Sequence, residues 1–250
     1  MPATVSFHAL SGMPEVRSGD DLSTLIRRAL VDSGLSLSAS DLLVVAQKIV
    51  SKAEGRLMRL ADVAPSAEAN ALAERVQKDP RFVELVLRES SEVLRAVPNI
   101  LITRHRCGWV MANAGIDRSN IPGAEDHVLL LPLDCDASAR RLRDALAPER
   151  PAVIISDSFG RPWREGTVNV ALGVAGYTGL LDLRGSTDRH GRTLQSTQIA
   201  LADAVAAGAG LVMGESTEGI PVTLVRGLDF SHPVTDGQAI VRSREGDLFR

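Results

Sequence analysis

Three acidic residues stand directly after apolar segments that are typical of strands or helix ends. They are Asp117, Asp157 and Glu215, and each has an amide, hydroxyl or glycine beside it. Carboxylate oxygens with such neighbours suit Mg²⁺ or Mn²⁺, which also bind phosphate oxygens. The competing interpretation is that each acid closes a turn or caps a helix, as Asp, Asn and Ser often do. The pattern therefore indicates oxygen-ligated metal chemistry and leaves the turn interpretation open.

Arginines accompany one of these acids. Arg161 and Arg164 flank Trp163 a few residues after Asp157, and a second group that includes Arg189 lies in the segment 184–192. Forked guanidinium groups next to a metal-type carboxylate indicate an anionic substrate that carries phosphate or carboxylate. A solvated charged loop is the competing interpretation, above all for the segment 184–192.

Other common kinds of site are excluded by their spacing. The chain has no Gly-x4-Gly-Lys-Ser/Thr string, so it is not a P-loop enzyme. The glycines of 173–179 and 208–210 lack the flanking elements of a dinucleotide loop and indicate close helix packing instead. Its five histidines and two cysteines show no zinc-binding spacing, and no zinc site is predicted.

Composition narrows the class of protein further. The 250 residues carry 28 Lys plus Arg against 31 Asp plus Glu, a net charge of −3, which argues against a nucleic-acid-binding protein. Hydrophobic residues make up 44% and charged residues 24%, as in a globular chain that buries its own core. No apolar run is long enough to span a bilayer, and no signal segment or CxxC pair is present. We therefore expect a reduced, cytoplasmic protein without a membrane segment.

The hydrophobic pattern predicts alternating strands and helices that place the acids at element ends. Expected strands are 41–46, 100–103, 109–113, 128–133, 152–156 and 221–226; expected helices are two within 65–94 separated at Asp79-Pro80, one at 138–146 and one at 193–211. A loop is expected over 157–164 and a helix or loop over 47–55. No linker is evident, so any second subdomain should form from chain segments that cross back and forth.

Four motifs in this order make a specific resemblance. They are the segments 41–56, 113–120, 155–161 and 213–221, and together they resemble the coenzyme F420-0:γ-glutamyl ligase family over about Leu10 to Arg244. The resemblance implies a mixed α/β (α+β) fold with two interleaved subdomains, an intertwined homodimer, and one family domain over residues 1–250. A fused C-terminal flavin reductase domain is not expected.

The resemblance also implies the reaction. A GTP-dependent ligase would add L-glutamate to F420-0 and then further γ-linked glutamates, through an acyl phosphate, with release of GDP and phosphate. Family members use two divalent cations, Mg²⁺ or Mn²⁺, and a monovalent cation such as K⁺. Expected partners are F420-0, L-glutamate, GTP and a second copy of the chain, with no nucleic acid and no membrane.

The resemblance also implies site residues, which are carried over position by position. Asp117 and Asp157 correspond to ligands of one divalent ion, and Ser158 and Glu215 to ligands of the other. The three acids are the expected catalytic groups, and they should converge on the GTP γ-phosphate. The segments that correspond to GTP contacts are Met13, Pro14, Glu15 and Val16; Gln47, Lys48 and Lys52; Asn120; and Met213, Gly214, Ser216, Thr217, Glu218, Gly219 and Ile220. Arg161, Arg164 and Arg189 are the candidates for contacts with the deazaflavin substrate.

Two other functions fit the same residues. One is a metal-dependent, nucleotide-using ligase or kinase that acts on a different acid. The other is a GTP- or deazaflavin-binding dimer without turnover, against which the full set of Asp117, Asp157 and Glu215 argues, because binding alone does not require a complete metal set. An assay of GTP consumption with and without F420-0 and glutamate separates these functions.

Overall fold

The computed structural model describes residues 4–119 and 125–247, and among them it contains twelve strands and six α-helices. The strands are β1 Ser6–Ala9, β2 Leu42–Ala46, β3 Leu57–Arg59, β4 Ser90–Val97, β5 Ile100–His105, β6 Val110–Ala112, β7 His127–Leu129, β8 Ala152–Arg161, β9 Arg164–Ala175, β10 Leu180–Asp182, β11 Gln198–Ala200 and β12 Val222–Arg226. The helices are α1 Leu22–Asp32, α2 Gln47–Ala53, α3 Ala67–Val76, α4 Pro80–Glu89, α5 Cys135–Ala145 and α6 Leu201–Met213. The predicted mixed α/β fold is confirmed.

The chain forms two compact units, each built from segments that are distant in sequence. The first consists of Met1–Glu15, Asp21–Val50 and Asp134–Arg250, and the second of Val16–Asp20 and Ser51–Leu133. The boundaries fall inside continuous structure rather than in linkers, since Val50 and Ser51 both belong to α2. This is why no composition shift marks them in the sequence.

A five-stranded sheet in the order β1-β12-β2-β8-β9 organises the first unit. Only β2 and β8 pair in parallel, with Ala46 opposite Ser156; the other neighbours are antiparallel. Strands β1, β2 and β8 therefore end, and β12 begins, at the same end of the sheet. The apolar runs in β2 and β8 are buried, as the sequence predicts for central strands covered on both faces.

Helix α6 covers one face of this sheet. Its Val205, Ala206 and Ala209 pack in one hydrophobic cluster with Ile154 of β8 and Ala171 of β9. The helix is rich in alanine and glycine, so its backbone can approach closely: a Cβ at Gly208 would lie 2.4 Å from a ring carbon of Phe7. The face of β8 that carries Ile154 is therefore the face that packs against α6.

The loop expected over 157–164 is wrong, because β8 continues to Arg161 and pairs with β9, which begins at Arg164. Only Pro162 and Trp163 lie between the strands, and Trp163 has a positive φ of 58°. A loop was expected because of the polar composition of this segment. Beyond Ser156 the β8–β9 hairpin is no longer paired with β2. Backbone hydrogen bonds hold its two strands together there, and these bonds do not require apolar side chains.

Several helix boundaries also differ from the sequence expectation. Helix α6 begins at Leu201 and not near Thr193, because the chain before it forms β11, which pairs with β10. Helix α5 begins at Cys135, three residues early, because the Asp134 carboxylate caps it by accepting from the Ala137 N–H. The predicted strand 128–133 is shorter, as β7 ends at Leu129.

The second unit confirms the two helices and the hairpin that were predicted. Ser66 caps α3 and Asp79 caps α4, so the break at Asp79-Pro80 lies where the sequence placed it. After Glu89 the chain turns into β4, which pairs with β5, and β5 pairs with β6 as the expected hairpin. The core lies between α3, α4 and these strands.

Candidate functional site

One end of the sheet gathers most of the predicted site segments of the first unit. The Ala46 N–H donates to Pro221 O at 2.8 Å, and the Leu10 N–H donates to Val222 O at 3.0 Å. Ala46 in turn pairs with Ser156, the residue before Asp157. Because neighbouring strands lie about 4.8 Å apart, Pro221 and Ser156 flank Ala46 with roughly 10 Å between them.

The segments that leave this sheet end are those predicted to bind GTP. Met13, Pro14 and Glu15 follow β1, and Gln47 and Lys48 open α2 directly after β2. Gln47 is 1% exposed, whereas Lys48 is half-buried. The turn from Gly214 to Ile220 enters β12 at the same end. These three groups were assigned from separate motifs, and the topology of one sheet places them together.

The turn between α6 and β12 is closed around Glu218. Gly214 ends α6 with φ 70° and ψ −179°, a conformation that is essentially restricted to glycine. The Glu218 carboxylate accepts from the Ser216 N–H at 2.8 Å, and hydrogen bonds from its own N–H and that of Ser216 hold the pKa of this carboxyl below its ordinary value. Glu215, Ser216 and Thr217 are exposed on this turn.

Asp157 and Ser158 point to opposite faces of the β8–β9 hairpin, since side chains alternate along a strand. Ser158 pairs with Asn169, and a Cβ at Gly210 of α6 would lie 2.8 Å from Asn169 Oδ1. Cross-strand partners share a face, so Ser158 lies on the face covered by α6 and Asp157 on the other. The assignment of these two side chains to different divalent ions stays a prediction.

Glu215 follows the end of the same helix. Met213, the last residue of α6, lies about one helical turn beyond Gly210. Gly210 contacts Asn169, the partner of Ser158. The C-terminal end of α6 therefore lies on the Ser158 side of the hairpin, and the assignment of Ser158 and Glu215 to one ion stays a prediction.

The other predicted residues belong to the second unit. Val16, Lys52 and Asp117 lie there, and Asn120 lies outside the described residues. Asp117 exchanges backbone hydrogen bonds with Leu129, and its carboxylate accepts from Ser119 N at 2.8 Å. The convergence of Asp117 with Asp157 and Glu215 stays a prediction.

A cavity of about 500 Å³ lies beside Asp117 within the second unit. Lys78, Asn99, Asn113 and Arg118 also line it. Asn113 Oδ1 is buried and has no hydrogen-bond partner among the described residues. Because a buried polar atom is rarely left unpaired, this cavity has the character of a polar ligand pocket next to the Asp117 carboxylate.

The sequence model of a family described as F420-0:Gamma-glutamyl ligase matches residues 12–227. The chain belongs to this family. Named relatives extend the match over nearly the whole length: a protein named coenzyme F420:L-glutamate ligase from Methanothermobacter thermautotrophicus is 45% identical over 98% of this chain and 99% of the relative. Relatives with the same name from Methanopyrus kandleri and Methanocaldococcus jannaschii are 45% and 38% identical, and the alignments cover 94% and 95% of this chain and 94% of each relative. The predictions of the family and of an enzyme of the ligase class are confirmed.

Sequence reasoning missed two residues of this F420-0:γ-glutamyl ligase family member that share the Ser158 face. Ser156 is 1% exposed, and its buried Oγ has no hydrogen-bond partner among the residues that the structure describes. Asn169 is 9% exposed and faces Ser158 across the hairpin. The signal in the sequence is the spacing of Ser156 and Ser158, which share a face only if β8 continues as a strand.

The residues present fit a divalent ion that arrives with a nucleotide. Within 4–119 and 125–247, no three His, Cys, Asp or Glu side chains form a group that could hold a metal by itself. Mg²⁺ is commonly bound by one or two carboxylates together with substrate phosphates and water. Ser156 and Ser158 supply hydroxyl oxygens on one face of β8, and Glu215 supplies a carboxylate on the exposed turn after α6.

The three candidate arginines of this ligase family member do not line a closed site. Arg161 and Arg164 lie at the tip of the β8–β9 hairpin, where Arg161 is half-buried and Arg164 exposed. Arg189 is exposed between β10 and β11. Their role toward the deazaflavin substrate stays a prediction. Among the described residues, no helix is long and apolar enough to cross a bilayer.

The buried carboxylate of Asp136 and the half-buried carboxylate of Asp203 hold the β9 strand beside the site. A bulge places Ala171 opposite Ser156 but Gly173 opposite Ile155, so Leu172 is the extra residue. Asp203 of α6 accepts from the Ala171 N–H at 2.9 Å, and Asp136 of α5 accepts from the Val174 N–H at 2.7 Å. The bulge sets the register of Asp157 and Ser158, so these acids position the site.

Asp203→Asn is expected to keep the hydrogen bond and to become more stable relative to wild type as pH rises. Burial raises the pKa of the Asp203 carboxyl, although the Ala171 N–H opposes the shift. A carboxyl whose pKa is raised in the folded state stabilises the fold at pH values below its unfolded-state pKa, near 3.9. This stabilisation is lost as pH rises through the folded-state pKa. Asparagine is neutral throughout and avoids this loss.

Urea unfolding at several pH values between about 4 and 7 measures this effect. Asp203→Ala is the matched variant, because it leaves the Ala171 N–H unpaired and should be about 1–3 kcal/mol less stable than Asp203→Asn at every pH. Equal stability of the Asn and Ala variants would show that the hydrogen bond to β9 is unimportant.

Proposed function

We propose that this chain is a GTP-dependent ligase that adds L-glutamate to coenzyme F420-0 and then further γ-linked glutamates, releasing GDP and phosphate. The names of its relatives support the acid and the amino acid. The observation that carries the nucleotide part is the gathering of residues 13–15, 47–48 and 214–220 at one sheet end beside Asp157. A ligand of nucleotide length can contact several loops at such an end.

The reaction must convert a carboxylate into a group that an amine can displace. The F420-0 carboxylate attacks the γ-phosphorus of GTP, the bond to the bridging oxygen breaks, and GDP leaves. The glutamate amine then attacks the acyl carbon of this acyl phosphate, loses a proton, and expels phosphate. The net result is one amide bond for one cleaved GTP, with the loss of one carboxylate oxygen to the phosphate.

The residues of this chain serve binding and orientation in these steps. Lys48 supplies a compact positive charge for the phosphates where α2 leaves the sheet. The turn closed around Glu218 offers backbone N–H groups and the hydroxyls of Ser216 and Thr217. Holding the two anionic reactants in line is the larger part of catalysis in phosphoryl transfer.

Two divalent cations, Mg²⁺ or Mn²⁺, and a monovalent cation such as K⁺ are part of the proposal. Asp117 and Asp157 would hold one divalent ion, and Ser158 and Glu215 the other, with Ser156 as an additional oxygen donor on the Ser158 face. Such ions offset the charge of the γ-phosphate, which otherwise repels an attacking carboxylate.

A homodimer and a cytoplasmic location complete the proposal. The apolar segment 168–179 needs no second copy of the chain to cover it, because most of the segment is buried within the chain itself. The dimer is supported instead by the family resemblance. Light scattering at micromolar concentration distinguishes a dimer from a monomer.

GTP is expected to support ligation at least about tenfold better than ATP, as a difference of 1.4 kcal/mol in transition-state binding would give. The assay follows nucleotide cleavage and glutamylated product together, with F420-0 or glutamate omitted as controls. Cleavage that does not depend on F420-0 would favour a different acid substrate, and absence of cleavage in every mixture would favour a binding protein. Equal rates with ATP and GTP would contradict the nucleotide assignment.

A further inference from the structure

A second polar cavity lies in the first unit, away from the candidate site. It has a volume of about 690 Å³ and is lined by Arg140 and Arg143 of α5, by Arg150 beyond that helix, and by the end of β9 with Gly176 directly after it. Ala175 pairs with Val153, whereas Asp157 pairs with Val170. Four strand residues separate Val153 from Asp157, which is about 13 Å along β8.

Two of the three arginines in this cavity have no polar partner in the part of the chain that the structure describes. Arg140 and Arg143 make no ion pair or hydrogen bond within residues 4–119 and 125–247, and Arg143 Nε is buried without a hydrogen-bond partner among them. Arg150 is paired with Asp144. A buried guanidinium N–H without an acceptor is costly, since hydrogen bonds to charged groups contribute about 1.5–3 kcal/mol.

The backbone of β9 makes room for the Arg143 guanidinium. Gly176 has a φ of 75°, and a Cβ there would lie 2.4 Å from Arg143 Nε. Any side chain at this position would therefore displace the guanidinium from the cavity wall. Arg140 and Arg143 stand three residues apart on α5, so both lie on one face of that helix.

The charges that line the cavity favour an anion. Three guanidinium groups face two carboxylates, Asp144 and Asp236. Asp144 is already engaged by Arg150, and Asp236 accepts from the Ala239 N–H at the start of a short 3₁₀-helix. Apart from Thr235, the other side chains of the wall are apolar and include Val174, Val234 and Ala239.

We propose that this cavity is an anion-binding site that takes the phosphate or carboxylate group of a small molecule, held by Arg140 and Arg143. The forked guanidinium matches the two oxygens of either group. The site is separate from the sheet end that carries the proposed ligase reaction, and it does not depend on that function.

The test titrates the intact protein with inorganic phosphate and, separately, with L-glutamate, using isothermal titration calorimetry in EDTA without nucleotide. We expect saturable binding of at least one probe, weakened roughly 10-fold or more in Arg143→Gln, as the loss of one charge-assisted hydrogen bond implies. The probe that saturates identifies phosphate or carboxylate as the recognised group. Arg143→Lys keeps the positive charge but not the forked guanidinium, so its affinity for the probe should lie between those of wild type and Arg143→Gln.

Arg28→Gln is the matched control, because Arg28 is an exposed α1 arginine with only a 3.8 Å contact to Asp32. It should bind the probes like wild type. If Arg143→Gln fails to fold by circular dichroism, the exposed Arg140→Gln takes its place. Binding that is equal in wild type and the cavity variants would overturn the proposal, as would the absence of saturation by both probes at millimolar concentration.

Discussion

Asp157→Asn is expected to fold like wild type and to lose ligation by roughly 10²-fold or more, as loss of a group that stabilises transition-state charge implies. The change removes one negative charge and leaves the shape of the side chain. Asp157 lies in β8, where the backbone hydrogen bonds to β9 hold the strand whatever the side chain is. Asp157→Asn should therefore lower the rate of ligation without lowering the stability of the fold.

Steady-state assays with GTP, F420-0 and glutamate measure the loss, and circular dichroism checks the fold. Glu165→Gln is the matched control, because it also removes one negative charge from the β8–β9 hairpin but at an exposed position of β9. Raising Mn²⁺ should restore part of the Asp157→Asn activity if the loss is one of metal affinity, since weaker binding is offset by mass action. Near-wild-type turnover of Asp157→Asn at low metal would contradict the assignment.

Gly214→Ala is expected to lower kcat/KM by roughly 5- to 150-fold, the equivalent of about 1–3 kcal/mol for a residue forced into a glycine-only conformation. A Cβ at this position would lie 2.2 Å from Glu218 Cδ, so the turn would have to open. Opening it moves Glu215 and releases the Ser216 N–H from the Glu218 carboxylate. Helix α6 ends before this turn and should keep its packing.

Gly219→Ala provides the comparison within the same turn. Its φ is also positive, at 66°, but a Cβ there would meet nothing within 4 Å. Only the modest cost of a left-handed alanine applies, about 1 kcal/mol. We therefore expect Gly219→Ala to retain most activity. If both variants lose the same activity, the closed form of the turn around Glu218 is not what the reaction requires.

The sequence predicts best those elements whose local pattern agrees with their burial. Strand β2 and the first half of β8 are unbroken apolar runs, and they are central strands in the structure. The two helices on either side of Asp79-Pro80 carry their own capping residues, so their break is also local information. These elements needed no knowledge of distant partners.

The errors arise where a distant pairing decides the structure. Residues 157–161 are polar and contain a glycine, yet they form a strand because β9 pairs with them. Residues 198–200 precede α6 as β11 because β10 pairs with them. The composition of each segment does not reveal the strand that pairs with it. The sequence therefore predicts a loop at 157–164 and a helix that begins too early, at 193.

The same limit applies to the candidate site. The family motifs identified the segments at 13–16, 47–52, 155–158 and 213–220, but not which of them share a sheet end. That grouping follows from the antiparallel insertion of β12 between β1 and β2. The hydroxyl of Ser156 escaped notice because its orientation toward α6 depends on the alternation of β8 and on the bulge at Leu172.

In the proposed reaction, this chain joins glutamate to F420-0 by passing the γ-phosphate of GTP through the acid's carboxylate. F420-0 labelled with ¹⁸O in that carboxylate, incubated with GTP, Mg²⁺ and glutamate, tests it directly by mass spectrometry of all products. We expect glutamylated F420-0 that has lost one labelled oxygen, labelled inorganic phosphate, and unlabelled GDP. Absence of the glutamylated product, or its formation with unlabelled phosphate, would contradict it.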